Sequence, residues 1–136
     1  MTAGLRAEPD RHTTDLSGDA DLCSAVLGEP LTAYLSGADT VTEFRSWLLD
    51  PDDEVRRQIV PRLAAARRVI LEFRLANMVA MARPWLREVG AAADDAPARL
   101  IRAKGDDEAT AHTVVQAARA WATRRSGAAG SGGGTV

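Results

Sequence analysis

The sequence contains little cysteine, little lysine and few aromatic residues. Cys23 is the only cysteine and Lys104 the only lysine among 136 residues, and aromatic residues make up 4% of the chain. A single cysteine excludes an internal disulfide, and a lone thiol is more typical of the reducing cytoplasm than of secreted proteins. We interpret the scarcity of lysine, beside abundant alanine and arginine, first as a bias of genomic composition.

The chain also lacks a long apolar run. Its longest, LANMVAMA at positions 75–82, is far shorter than the roughly 20 residues that a membrane-spanning helix needs. The opening segment, MTAGLRAEPDRHTTDLSGDAD, has neither the basic stretch nor the apolar core of a signal peptide. We therefore expect a soluble, cytoplasmic protein that does not contact a membrane.

Groups that could carry out catalysis or bind a metal are scarce. His12 and His112 have no second histidine, cysteine or suitably spaced carboxylate nearby in the sequence, and there is no glycine-rich phosphate loop. The acidic clusters at 50–54 and 106–108 are explained by helix starts, where carboxylates face the positive end of the helix dipole. The sequence therefore predicts a protein that is not an enzyme and binds neither a metal nor a cofactor.

The sequence is rich in apolar residues with helical spacing. Two stripes recur every three or four residues: Ile59, Leu63, Ala66, Ile70 and Phe73, and then Ala111, Val114, Val115, Ala118, Trp121 and Ala122. No segment alternates convincingly as a strand does. We predict an all-α fold of six or seven helices, with Pro61 splitting or kinking the long helix near its start.

Composition divides the chain into four segments. We predict a flexible arm at 1–18, a helix-turn-helix region at 19–58, a small helical domain at 59–125 and a disordered Gly/Ser tail at 126–136.

Charge is distributed unevenly although the net charge is only -2. Segment 38–54 has one arginine against six acids, whereas segment 55–102 has ten arginines against four acids. Such a basic segment is typical either of a surface for an acidic partner or phosphates, or of arginines along solvated helix faces.

The front of the chain has the pattern of a helix-turn-helix. A turn at Gly37-Ala38-Asp39 precedes the N-cap Thr40, and a helix follows whose buried face we assign to Val41, Phe44, Trp47 and Leu48. The candidate DNA-binding residues are Thr40, Thr42, Arg45 and Ser46. A single arginine in the most acidic segment argues against tight phosphate binding. The pattern leaves open a DNA reader or a purely structural helix pair.

Three later segments, ARPWL at 82–86, APARL at 96–100 and AARAW at 117–121, follow in a fixed order. Together with LGEPLTAYLSGADTVTEFRSWLLD, they resemble the MbcA/ParS/Xre family of bacterial antitoxins over about 30–123. The sequence departs from that family at Glu88-Val89-Gly90, where asparagine-proline is usual, and in its arginine-poor recognition helix.

The resemblance implies a degenerate Xre-type helix-turn-helix followed by a small helical toxin-binding-like domain. It implies an antitoxin of a type II toxin–antitoxin system that neutralises a RES-type, NAD-consuming toxin, with DNA-binding autoregulation as a further role. The alternative is a stand-alone helix-turn-helix transcriptional regulator, and a homodimer is left open. The resemblance also implies that Trp85 and Trp121 are large anchors of the small helical domain, with a surface partner contact as the alternative role for either tryptophan, and that Pro97 fixes the first turn of a helix. The candidate partner-binding residues are Arg83, Trp85, Leu86, Arg87, Pro97, Arg99 and Arg102.

Overall fold

The computed structural model describes the backbone of residues 16–92 and 94–135, and side chains as far as Ser126. All regular structure in these residues is helical, which confirms the all-α prediction. The helices are α1 (16–27), α2 (Glu29–Ser36), α3 (Val41–Leu49), α4 (Asp53–Leu75), a 3-10 turn (Val79–Met81), α5 (Ala82–Leu86), α6 (Pro97–Lys104) and α7 (Glu108–Thr135).

Local sequence signals set the starts of three helices. The Thr40 hydroxyl accepts a hydrogen bond of 3.0 Å from the backbone N–H of Glu43, and the Asp52 carboxylate accepts one of 2.8 Å from Val55. Pro97 occupies the first turn of α6, where its fixed φ suits the helix and its missing N–H costs nothing. The helix starts predicted from Thr40, from the 52–54 acids and from Pro97 are therefore confirmed.

Pro61 does not split the long helix. α4 is continuous for 23 residues with Pro61 inside it, although proline removes one hydrogen bond to the residue four before it and crowds that carbonyl. Ile59 and Leu63, on either side, are both completely buried. Burial of such side chains stabilises by about 1.5–3 kcal/mol each, which offsets the cost of the proline. The predicted split is therefore wrong.

α4 contributes to two apolar clusters. The main core joins side chains of α1, α2 and α4–α7, and its members include Cys23, Leu27, Leu35, Val69, Phe73, Trp85, Leu86, Ile101, Val114 and Ala118. The smaller cluster lies under α3 and contains Leu16, Ala20, Ala33, Ala38, Phe44, Ile59 and Leu63. The predicted boundary between residues 58 and 59 falls inside α4, and helices from both sides of it share the main core.

The predicted ends of the folded part also differ from the structure. Positions 1–15 of the predicted arm lie outside the described residues, but Leu16 is in α1 and only 6% exposed, so the arm does not extend to residue 18. The backbone of α7 continues to Thr135 across the segment predicted as a Gly/Ser tail. The side chains of 127–136 lie outside the described part.

The single cysteine is part of the main core. Cys23 in α1 is completely buried, and its thiol Sγ lies 3.9 Å from the backbone oxygen of Leu63 in α4. Burial, with a smaller contribution from the negative charge of Asp19, raises the pKa of the Cys23 thiol to about 12. Because the thiolate is the reactive form, this thiol is unreactive at neutral pH in the folded protein.

Candidate partner-binding groove

An open groove of about 300 Å³ lies between α2, α6 and the connection that follows α5. We call it the α2–α6 groove, and it is lined by Leu31, Tyr34, Arg87, Val89, Ala96, Ala98 and Arg99. Three of these residues, Arg87, Val89 and Arg99, are exposed at the surface. The groove therefore combines an apolar floor with two arginines.

Local structure explains why these residues meet. Leu31 and Tyr34 are three residues apart in α2 and so share one helix face. The connection between α5 and α6 turns back at Gly90, whose φ of 89° is unfavourable for other residues, and the Gly90 N–H donates to the Asp95 carbonyl at 3.3 Å. The small side chain of Ala98 lets α6 approach α2 closely.

The two arginines of the groove differ in what they contact. The Arg99 side chain is 67% exposed, and its Nε lies 3.4 Å from an Asp95 carboxylate oxygen one helical turn away. The Arg87 guanidinium is exposed and has no hydrogen-bond or ion-pair partner among the described residues. The positive charge of Arg87 is therefore free to meet a ligand.

Three predicted partner-binding residues belong to the core. Trp85 is 2% exposed, Leu86 is completely buried, and Pro97 is buried at the start of α6. The Trp85 ring packs against Phe73 with centroids 5.5 Å apart, and its indole Nε1 has no hydrogen-bond partner among the described residues. These three residues are corrected from partner contacts to core residues, because a partner could not reach them in this fold.

Arg102 is also corrected, from a partner contact to an internal clamp. Its Nη1 donates to the carbonyl oxygens of Tyr34 and Ala38, each at 2.8 Å, and its Nη2 donates to Asp39 at 3.0 Å. The guanidinium carbon also lies 4.8 Å from the centre of the Tyr34 ring. Arg102 therefore fastens α6 to the turn between α2 and α3.

Arg83, the remaining predicted partner residue, lies outside the groove. It is exposed on α5, its guanidinium has no partner among the described residues, and it does not line the α2–α6 groove. The structure thus brings together two of the seven predicted residues, Arg87 and Arg99.

The predicted DNA-binding residues lie on one end and one side of α3. Thr42, Arg45 and Ser46 are exposed, and the Thr40 hydroxyl caps the helix. Arg45 makes two hydrogen bonds to the Glu29 carboxylate, 2.8 Å from Nε and 2.6 Å from Nη2. These bonds lower the pKa of Glu29 and raise that of Arg45. The only arginine of this face is therefore already paired with a carboxylate.

Sequence reasoning did not find the apolar floor of the groove, formed by Leu31, Tyr34, Val89, Ala96 and Ala98. Val89 gave the one usable signal, because it is a single valine in a connection between helices and belongs to no apolar stripe. In the structure Val89 is 70% exposed. Leu31 and Tyr34 gave none, because their spacing is equally typical of a core-facing stripe.

The described residues contain no group of three or more His, Cys, Asp or Glu placed to hold a metal ion, and none of their helices has the length and apolarity to cross a membrane. Comparisons with models of protein families, with curated proteins and with solved structures found no match.

Proposed function

We propose that this protein is an interaction protein of the bacterial cytoplasm: the antitoxin of a type II toxin–antitoxin pair, which binds and neutralises a RES-type, NAD-consuming toxin. The observation that carries this proposal is the α2–α6 groove, which is lined by an exposed Val89, the unpaired Arg87 and Arg99, whose Nε lies 3.4 Å from Asp95. The ordered segments 82–86, 96–100 and 117–121, which resemble an antitoxin family, support the same function.

Neutralisation by binding needs a surface rather than chemistry. Apolar contacts supply affinity at the centre of an interface, while arginines form forked hydrogen bonds to carboxylates around it. A helical protein that covers the entrance of an NAD-consuming enzyme excludes the dinucleotide without any catalytic residue of its own. The groove has both kinds of contact on neighbouring helices.

The proposal predicts a gene for a RES-type toxin beside the gene of this protein, and the test is co-expression of the two full-length products. We expect restored growth, preserved cellular NAD and co-purification of the two chains. Arg87→Glu and Val89→Asp should weaken all three, whereas the matched control Arg83→Glu, at another exposed arginine that lies outside the groove, should not. The full chain is required, because a fragment beginning at residue 59 would cut α4. Neutralisation that survives both groove substitutions would contradict this site.

A DNA-binding regulator is the second candidate function, because α3 exposes Thr42, Arg45 and Ser46 after a short turn. Binding to the protein's own promoter should then weaken as salt rises, and Arg45→Ala should lower the salt slope by about one if Arg45 meets a phosphate. Glu29→Gln should strengthen binding, because it releases Arg45 from its carboxylate. Binding that neither substitution changes would assign α2 and α3 a structural role.

A further inference from the structure

We propose that the α2–α6 groove selects a protein segment in which bulky apolar side chains are flanked by carboxylates. The inference rests on the proposed function in taking this groove as the partner-binding site, and it adds the chemistry of the segment that the groove accepts.

The floor of the groove calls for apolar side chains. Five of its seven lining residues, Leu31, Tyr34, Val89, Ala96 and Ala98, offer aliphatic or aromatic surface. The volume of the groove, about 300 Å³, is at the lower limit of small-molecule sites, so the groove fits one or two side chains better than a large cofactor. Nucleic acid fits less well, because tight binding of a phosphate backbone needs several cations and the groove has two arginines beside an apolar floor.

The charge of the groove is of one sign. Arg87 and Arg99 are its only ionisable lining residues apart from the Tyr34 phenol, so a carboxylate on the bound segment is attracted and a lysine or arginine is repelled. Guanidinium groups bind carboxylates through two parallel hydrogen bonds, which fixes the orientation of the segment as well as its charge.

The two arginines should contribute unequally. The Arg87 guanidinium has no partner among the described residues, so a carboxylate that binds it meets no competitor there. A carboxylate that binds Arg99 must compete with Asp95, 3.4 Å from Nε. Arg87 should therefore carry most of the preference for acidic segments.

The groove is held in shape before a ligand binds. Arg102 hydrogen-bonds the Tyr34 carbonyl and lies 4.8 Å from the centre of its ring, so the position of Tyr34 in the floor is fixed from within the protein. A preformed floor reduces the ordering cost that a bound segment must overcome.

The test uses three blocked hexapeptides and the full-length, 15N-labelled protein. The peptides are Ser-Glu-Leu-Leu-Asp-Ser, its counterpart Ser-Lys-Leu-Leu-Lys-Ser and the leucine-free Ser-Glu-Ser-Ser-Asp-Ser. NMR titration should show amide shifts at Leu31, Val89 and Ala98 with the first peptide, and at least about tenfold weaker binding of the other two. Equal binding of the acidic and lysine peptides, or shifts confined to another face, would overturn the inference.

Variants assign the selectivity to the arginines. Arg87→Gln should reduce the affinity for the acidic leucine peptide about five- to tenfold, Arg99→Gln should reduce it less, and the exposed control Arg83→Gln should leave it unchanged. An Arg87→Gln protein that binds like the wild type would overturn the inference. Toxin neutralisation without peptide selectivity would overturn this inference alone, whereas peptide selectivity without neutralisation would overturn the proposed function alone.

Discussion

The α3 face and the α2–α6 groove each present an exposed arginine, and the two arginines are in opposite states. Arg45 on α3 makes two hydrogen bonds to Glu29, whereas the Arg87 guanidinium at the groove has no partner among the described residues. A new anionic ligand must displace a carboxylate from Arg45 but not from Arg87. The difference shows that the position of an arginine in the sequence does not tell how much of its charge a ligand can use.

The same distinction applies to the basic segment 55–102. Half of its ten arginines lie within ion-pair distance of a carboxylate: Arg62, Arg67, Arg68, Arg99 and Arg102. Apart from Arg62, which is buried, these arginines form surface pairs, which stabilise a fold weakly but reduce the net field that a partner meets. The positive charge offered to a partner is therefore more local than the composition of the segment suggests.

The largest effect should come from the side chains buried beneath the two regions. Trp85→Ala in the main core and Phe44→Ala under α3 should each lower the free energy of unfolding by about 3–5 kcal/mol, because both rings are almost completely buried. Urea unfolding followed by circular dichroism measures this. The control Leu75→Ala, at an 83% exposed position, should stay within about 0.5 kcal/mol.

Both regions should also unfold in one transition, because α4 contributes to both clusters. Separate transitions for the Phe44→Ala protein would show instead that α3 and its cluster form an independent unit.

The next effect concerns Arg102, which connects the two regions. Arg102→Leu should lower the free energy of unfolding by about 2 kcal/mol, because the carbonyls of Tyr34 and Ala38 lose a charged donor. The same substitution should weaken peptide binding by disturbing Tyr34. Arg99→Leu is the control on the same helix and should change stability far less. Equal effects of the two would contradict the assignment of Arg102 as a clamp.

A smaller effect is expected for charge at the groove. Arg87→Glu should weaken the complex with the proposed toxin by about 1–2 kcal/mol, measured by calorimetry, because a carboxylate would then face the carboxylates proposed on the partner. Arg83→Glu gives the same change of net charge outside the groove and should weaken the complex much less. If both reversals weaken it equally, long-range charge rather than the groove is responsible.

The smallest effect concerns the pair that joins Arg45 of α3 to Glu29 of α2. Arg45→Gln should raise the pKa of Glu29 towards its ordinary value, because the hydrogen bond from Arg45 is the main cause of the lowered pKa. NMR titration of the Glu29 carboxyl carbon measures this change. The stabilisation from a lowered pKa is present at neutral pH and is lost as pH falls through that lowered pKa. The melting temperature at neutral pH should hardly change, since the pair is exposed. An unchanged Glu29 pKa would show that the pair is open in solution.

Local signals made much of the fold predictable. Thr40, Asp52 and Pro97 mark helix starts because caps depend on residues only a few positions apart. The apolar face assigned to α3 was also right at Phe44, which is buried, while Val41, Trp47 and Leu48 pack against the same cluster from partly exposed positions.

The groove and its clamp were not predictable in the same way. Arg102 contacts carbonyls 68 and 64 residues earlier in the chain, and no periodicity or motif records a contact between two helices so far apart. For this reason the sequence predicts that the same arginine faces a partner. It also leaves Trp85 open between a domain anchor and a partner contact, and it places Leu86 and Pro97 on a surface that the packing of α5 and α6 does not expose.

Cys23 offers an internal probe of how often this fold opens. It is the only cysteine of the chain, and a pKa of about 12 leaves almost no thiolate in the native state at neutral pH. A thiol reagent can therefore label the protein only after α1 separates from α4. The labelling rate of the unmodified chain, with and without the toxin proposed as its partner, would report the free energy of that opening, and a toxin that binds the folded state would slow it.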